Sequence, residues 1–202
     1  MTPALLQAEP YGVRALLIRC GAHQTKPVAD RARERWPDAL DVVPAADSVV
    51  VDGLDDVGQA AAEVASWSIE PRRSYSERTV ELETSYDGPD LADVAALWGV
   101  GRDEVVEIHT STLFVVAFCG FSPGFAYCTG LSSERAVPRR SSPRPRVEPG
   151  SVALADVYTG VYPTSSPGGW QVIGHTSARL WDLTRDEPAL LSPGTGVRFV
   201  AR

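Results

Sequence analysis

Leu113-Phe-Val-Val-Ala-Phe-Cys119 is the most apolar run in the chain, and it passes directly into Gly120-Phe-Ser-Pro-Gly124. A short β-branched and aromatic run that ends on Gly and Pro reads as a strand entering a turn. From there to residue 202 Gly and Pro stay dense, and the remaining strand-like runs are short: Ser151–Leu154, Gly160–Tyr162, Gln171–Ile173 and Val197–Val200. Several short strands with frequent turn signals predict a closed or nearly closed β-barrel. Upstream, Thr79–Thr84 alternates Val80 and Leu82 with Glu81 and Glu83, the pattern of a half-buried strand. Asp90 is a candidate N-cap for a helix through Trp98 that Gly99 stops, and Asp103–His109 is a second short helix.

The first third has a different order. Val13–Ile18 reads as a strand, and Pro27–Trp36 as a helix that stops before Pro37. Leu40–Val43 and Ser48–Val51 are short strands around a turn. Asp55–Trp67 is a second helix, with Val57, Ala61, Val64 and Ala65 on one face. This β-α-β-β-α order predicts a small sandwich of helices on an antiparallel or mixed sheet. The segment Glu70–Arg78 is polar and without apolar periodicity, so it reads as a linker. The expectation is an α+β protein with a small α/β sandwich over residues 1–75 and a β-barrel over residues 76–202.

An apolar content of 44% in 202 residues is enough for a core and argues against disorder. The net charge of −7 gives no electrostatic case for nucleic acid or an anionic membrane as partner. Cys20, Cys119 and Cys128 are too few and too irregular for a disulfide framework, which fits a reduced, cytoplasmic compartment. The first residues lack the basic stretch of a signal peptide, and no apolar run approaches the roughly 20 residues that span a bilayer. Lys26 is the one lysine, so no Gly-x-x-x-x-Gly-Lys-Ser/Thr loop exists to cradle a nucleotide phosphate.

Gly120-Phe-Ser122-Pro-Gly124 matches the Gly-x-Ser-x-Gly pattern of a nucleophile elbow, but its chemistry does not. The oxyanion hole of an elbow uses the N–H of the residue after the serine, and here that residue is Pro123. The reading is a turn lining a pocket at the end of a strand. His23, His109 and His175 form no His-x-x-x-His pair and no Cys stands at ligand spacing, so no metal site is predicted. A lone histidine is more often structural than catalytic. His109 stands out because it ends a helix just before the apolar strand, where it can serve as acid, base or substrate donor. Arg135, Arg139, Arg140, Arg144 and Arg146 crowd one stretch with no acid among them. That stretch is either a solvated, proline-stiffened loop or a site for a carboxylate, a phosphate or an acidic partner. Ser165-Ser-Pro-Gly-Gly-Trp170 is either a tight turn or a loop whose glycines let backbone approach a ligand.

Together, eight stretches resemble one family. They are Glu107-Ile-His109-Thr-Ser, Gly120-Phe-Ser-Pro-Gly-Phe-Ala-Tyr127, Val137-Pro-Arg-Arg-Ser-Ser-Pro-Arg144, Pro149-Gly-Ser-Val152, Tyr158-Thr-Gly-Val-Tyr-Pro163, Ser166-Pro-Gly-Gly-Trp170, Gly174-His-Thr176 and Pro193-Gly-Thr-Gly-Val-Arg-Phe199. Their order and content resemble the allophanate hydrolase subunit 1 family, which includes the kinase inhibitor KipI and the B component of 5-oxoprolinase, of the carboxyltransferase domain C and D type. The resemblance is dense over residues 79–202 and looser before.

The resemblance implies a cyclophilin-like barrel and a KipA-like companion, subunit 2, as heterodimer or higher assembly. It also implies a third 5-oxoprolinase subunit, with ATP consumed by the complex as 5-oxoproline is opened to glutamate. True allophanate hydrolases resemble amidases with a Ser-Ser-Lys triad, which a chain with Lys26 alone does not carry. The expected substrate pocket lies on the barrel, with Ser122, Tyr127, Tyr158, Thr159, Ser166, Gly168, Gly169, Trp170 and His175 in its lining. Arg139 and Arg144 would hold a carboxylate or phosphate, and His109 would transfer a proton. Ala126, Cys128, Glu148, Pro149, Asp156, Tyr158 and His175 depart from the family pattern, so the exact substrate stays open. The alternative reading is a KipI-like module that inhibits a sensor histidine kinase by binding it.

Overall fold

The computed structural model describes residues 6–21, 24–69 and 78–202. His23 and nearly all of the polar stretch read as a linker, with the boundary near residue 75, lie outside the described residues. The chain divides into two compact units, Met1–Ser74 and Tyr75–Arg202.

The first unit is a four-stranded antiparallel sheet with two helices. In chain order its elements are β1 (Gln7–Pro10), β2 (Ala15–Arg19), α1 (Thr25–Arg35), β3 (Asp41–Pro44), β4 (Ser48–Asp52) and α2 (Val57–Val64), and the strands lie in the order β1-β2-β4-β3. Leu16 and Ile18 of β2 and Val49 and Val51 of β4 alternate onto the buried face. Val28, Ala29 and Ala32 of α1 and Ala60 and Val64 of α2 close over them. The first strand begins later than the apolar run suggests, because Gly12 takes φ +100° and the chain turns back on β1. Val13 is left 95% exposed by that turn. The helix expected over Asp55–Trp67 is shorter at both ends. The Asp56 carboxylate accepts from the Gln59 N–H at 2.8 Å and fixes its start.

The second unit is built on a seven-stranded sheet that curls into a nearly closed barrel. Its elements are β5 (Thr79–Thr84), α3 (Leu91–Trp98), α4 (Arg102–Ser111), β6 (Phe114–Cys119), β7 (Ala126–Thr129), β8 (Arg144–Val147), β9 (Ser151–Ala155), β10 (Tyr158–Val161), β11 (Ser166–Gly168), β12 (Gln171–His175) and β13 (Gly196–Ala201). The strand order is β12-β9-β10-β7-β6-β13-β5, with β8 and β11 paired as a separate ribbon. Only β13 and β5 run parallel among these neighbours. The α+β character read from the sequence is present, and β1, β7, β8 and β11 are strands the apolar runs did not reveal.

The two edges of the sheet meet at a seam. Ser85 and His175 exchange both backbone hydrogen bonds at 2.8 Å. Gly88 N–H then donates to Ile173 O and Asp90 N–H to Val172 O at 2.9 Å, so the chain entering α3 runs along β12. Such close backbone approach needs glycine. A Cβ at Gly174 would collide with Ser85 O, and one at Gly88 with the Ile173 carbonyl carbon.

Both faces of the sheet are buried. On β9, Val152 and Leu154 join a core with Leu82, Phe114, Phe199 and the helix residues Leu91, Val94 and Val105. Ala153 and Ala155, pointing the other way, join Phe125, Val147, Tyr162, Trp170 and Val172. Among the described residues no helix is long and apolar enough to cross a membrane.

Gly174→Ala is expected to lower the unfolding free energy by about 2–3 kcal/mol, the scale of a forced backbone shift in a packed site. Urea unfolding measures it, and an unchanged midpoint would mean the seam is not closed as described.

Candidate functional site

The outer face of the barrel carries a cleft of about 560 Å³. Phe118, Tyr127, Tyr158 and Trp170 form its apolar walls, and Arg139 and Asp156 bring charge to it. The rings hold one another in place: Phe118 stacks on Tyr127 at 4.3 Å, Tyr158 meets both edge-on at 5.8 Å, and Trp170 lies 5.5 Å from Tyr127. Phe118 reaches this face through a break in strand period. Phe114 and Val116 of β6 point into the core, so a regular strand would send Phe118 after them. The register shifts between Val116 and Phe118, and that bulge pairs Phe118 with outward-facing Tyr127. Burial raises the pKa of the Tyr127 phenol against the opposing pull of Arg139, so its O–H remains a donor at neutral pH.

The arginine-rich stretch resolves into pairs. Asp90, 1% exposed, accepts from Arg144 Nη1 at 2.8 Å and Nη2 at 2.7 Å, from Arg140 Nη1 at 2.7 Å, and from the Val172 N–H at 2.7 Å. Burial would raise the pKa of this carboxyl. The Arg144 fork, the Val172 N–H and Arg140 outweigh burial and hold it below the usual carboxylate range. Arg146 pairs with Glu148 at 2.7 Å, and Arg135 lies over the Trp98 ring at 5.1 Å. The Arg139 side chain alone of the five makes no ion pair, hydrogen bond or ring contact among the described residues. Asp90 occupies the N-cap position of α3 that the sequence predicts, but its side chain makes no cap hydrogen bond because the arginines and Val172 take it. Arg144, predicted to face a ligand, instead commits its fork to Asp90.

His109 lies in the core, fully buried, against Phe199 at 4.4 Å and Phe114 at 4.9 Å. Its Nε2 is 3.0 Å from Thr159 Oγ1, and its Nδ1 is 2.7 Å from the Tyr86 hydroxyl. The Thr159 hydroxyl donates to Ala153 O at 3.4 Å. Thr159 Oγ1 therefore accepts from Nε2–H, and Nδ1 accepts from Tyr86 O–H. Burial lowers the pKa of this imidazole to about 3, so it is neutral. Thr159 and Tyr158 are neighbours on β10 and point to opposite faces, so the two do not share a pocket.

The other expected residues separate in the same way. Gly120–Gly124 joins β6 to β7, two antiparallel strands, whereas an elbow joins a strand to a helix. Ser122 Oγ is buried there without a hydrogen-bond partner among the described residues, and Phe121 takes a φ of +70°. Ser166 and Gly168 pair with β8, and Gly168 packs against the Tyr162 hydroxyl. Gly169 gives its carbonyl to the Arg140 N–H at 2.7 Å. His175 Nε2 lies 3.2 Å from Pro149 O at the seam. The cleft therefore unites Tyr127, Arg139, Tyr158 and Trp170. It leaves out His109, Ser122, Arg144, Thr159, Ser166, Gly168, Gly169 and His175, and adds Phe118 and Asp156.

Two grooves of about 690 and 770 Å³ lie on the first unit. Their basic groups are already engaged: Lys26 with Asp30, Arg35 with Glu63, Arg14 with Asp55, and Arg31 over Trp67. Among the described residues no three His, Cys, Asp or Glu side chains gather as a metal site.

The family model for the carboxyltransferase domain, subdomain C and D, matches residues 6–191. The chain is similar to the 5-oxoprolinase B component of Escherichia coli O157:H7, 48% identical over 66% of this chain and 63% of that one. It therefore spans somewhat under two thirds of that relative. To the 5-oxoprolinase B component of Bacillus subtilis strain 168 it is 34% identical over 96% of this chain and 92% of that one. Among solved structures, TTHA0988 superposes with a TM-score of 0.78 at 32% identity, over 94% of this chain and 40% of that one.

His109→Gln tests the buried network by its pH dependence. The folded pKa of His109, about 3, lies below the unfolded value of about 6.5. The unfolded state then binds the extra proton between these values, so the stability owed to neutral His109 is full above pH 6.5 and declines toward pH 3. Urea titrations should show the variant about 1–3 kcal/mol less stable at pH 7. The gap should narrow as the pH falls. A gap that stays constant down to pH 4 would contradict a buried neutral imidazole.

Proposed function

The chain belongs to the carboxyltransferase domain C and D family, and from that premise we propose that it is the B-type component of a 5-oxoprolinase-type complex. In this reading it contributes to ATP-dependent hydrolysis of a small amide such as 5-oxoproline, in the cytoplasm. The observation that carries the reading is Arg139, an uncommitted guanidinium at a cleft walled by aromatic rings. A guanidinium suits a carboxylate, and flat apolar walls suit a small ring. The ligand carboxylate sits on Arg139, its ring lies against Tyr127 and Tyr158, and the Tyr127 O–H donates to its amide carbonyl. Phe118 and Trp170 exclude water. His109 is assigned a positioning role, holding Thr159 and Tyr86 behind this wall.

ATP fits this cleft poorly. A triphosphate asks for several cations, and Arg140, Arg144 and Arg146 are spent on Asp90 and Glu148. We therefore assign ATP to another subunit of the complex. The match to TTHA0988 covers 40% of that chain, which supports a reading in which further sequence works beside this unit. Here that sequence is a separate KipA-like subunit 2, joined by a third 5-oxoprolinase subunit. We also read the nearly closed barrel of the second unit as cyclophilin-like, on the strength of its seven strands and the helices packed against them.

The test is ATP-dependent glutamate release from 5-oxoproline by the assembled complex. Arg139→Gln is expected to lower kcat/KM by about 10- to 100-fold, mostly through KM, as loss of a charge-assisted hydrogen bond does. Unchanged kinetics would remove Arg139 from the site. A stable wild-type complex that never turns over 5-oxoproline would sink the substrate assignment.

A further inference from the structure

The cleft presents two charges of opposite sign. Arg139 and Asp156 both line it, and they do not pair with each other among the described residues. Their placement is fixed by the backbone. The Asp156 N–H donates to Val137 O at 2.6 Å, and the Val137 N–H donates back to Asp156 O at 2.9 Å. This bridge clamps the segment that carries Arg139 against the two-residue turn between β9 and β10. Asp156 turns the hairpin with a φ of +53°, a conformation that Asp and Asn adopt more readily than most residues. Asp156 is exposed and lines the cleft, and its side chain makes no ion pair among the described residues.

Resting on the reading of this cleft as a small-ligand site, we propose that it selects a zwitterionic α-amino acid: carboxylate on Arg139, ammonium on Asp156 and the faces of the aromatic wall. The charge balance decides for a zwitterion. An anion alone would satisfy Arg139 and leave Asp156 repelling it, whereas a zwitterion meets both groups. Aromatic faces add to the cationic end, since the π-systems of Tyr and Trp attract ammonium. Hydrolysis of a lactam turns its neutral amide nitrogen into such an ammonium, so the opened amino acid gains a partner that the closed ring lacks. Asp156 is then a specificity-determining residue that favours the opened form.

L-Proline and 5-oxoproline form a matched pair of probes. Both have a five-membered ring and a carboxylate, but only proline carries charge on nitrogen and only 5-oxoproline carries the carbonyl assigned to Tyr127, so a preference for proline must come from the ammonium. Binding to the full chain, in complex with its companion subunit, is read by calorimetry. The wild type is expected to bind L-proline at least about tenfold more tightly than 5-oxoproline, the scale of one charge-assisted hydrogen bond. Asp156→Asn keeps the shape and tolerates the turn, and it should erase this preference by weakening L-proline, while 5-oxoproline, relieved of a like charge, binds at least as tightly as before. Arg139→Gln should weaken both ligands. Binding of 5-oxoproline without L-proline, or a preference that survives in Asp156→Asn, would overturn the zwitterion proposal and leave the anion-binding cleft standing. If neither ligand binds the wild type, the cleft reading falls along with it.

Discussion

Asp90, buried at the barrel seam, receives a backbone N–H from β12 and three guanidinium N–H groups from the arginine-rich segment. Its own N–H donates to Val172 O, so backbone and side chain together grip the same edge strand. A carboxylate in this position is stable only because its charge is fully met, and removing either partner would strand a buried charge. The consequences run outward. The seam that Asp90 joins closes the sheet, and the arginines it holds fix the course of residues 138–144 over the outer face. Arg139, one residue from Arg140 and two from the Val137–Asp156 bridge, is thereby delivered to the cleft while Arg140 and Arg144 are turned to Asp90.

The division between inner and outer faces organises the rest. Strand alternation sends Thr159 inward to His109 and Tyr158 outward to the aromatic wall. The inner network of Tyr86, His109, Thr159 and Ala153 O satisfies each polar group in turn, which is the condition for keeping polar groups in a core. The cleft on the outer face is lined by rings and by Arg139 and Asp156, which form no ion pair among the described residues.

Much of the fold was legible in the sequence because apolar runs and turn residues report local structure directly. Val80/Leu82 against Glu81/Glu83 gave β5, and the Leu113–Cys119 run gave β6 to within a residue. β1 and β8 escaped because their residues, Gln7–Pro10 and Arg144–Val147, are mostly polar or proline and their strand identity comes from partners. The candidate cleft was legible in part. Family motifs pointed to Tyr127, Arg139, Tyr158 and Trp170. They could not separate Arg139 from Arg144, because the acid that captures Arg144 lies 54 residues away. His109 drew attention by its place before an apolar strand, yet that place put it inside the core. Phe118 depended on a bulge that no local pattern announces.

The most direct measurement is a crystal structure of the assembled complex with 5-oxoproline or L-proline bound. The account predicts the ligand carboxylate on Arg139, its ring against Tyr127 and Tyr158, and the Asp90 contacts to Arg140 and Arg144 intact. A ligand carboxylate held by the Arg144 fork, with Asp90 displaced, would contradict it.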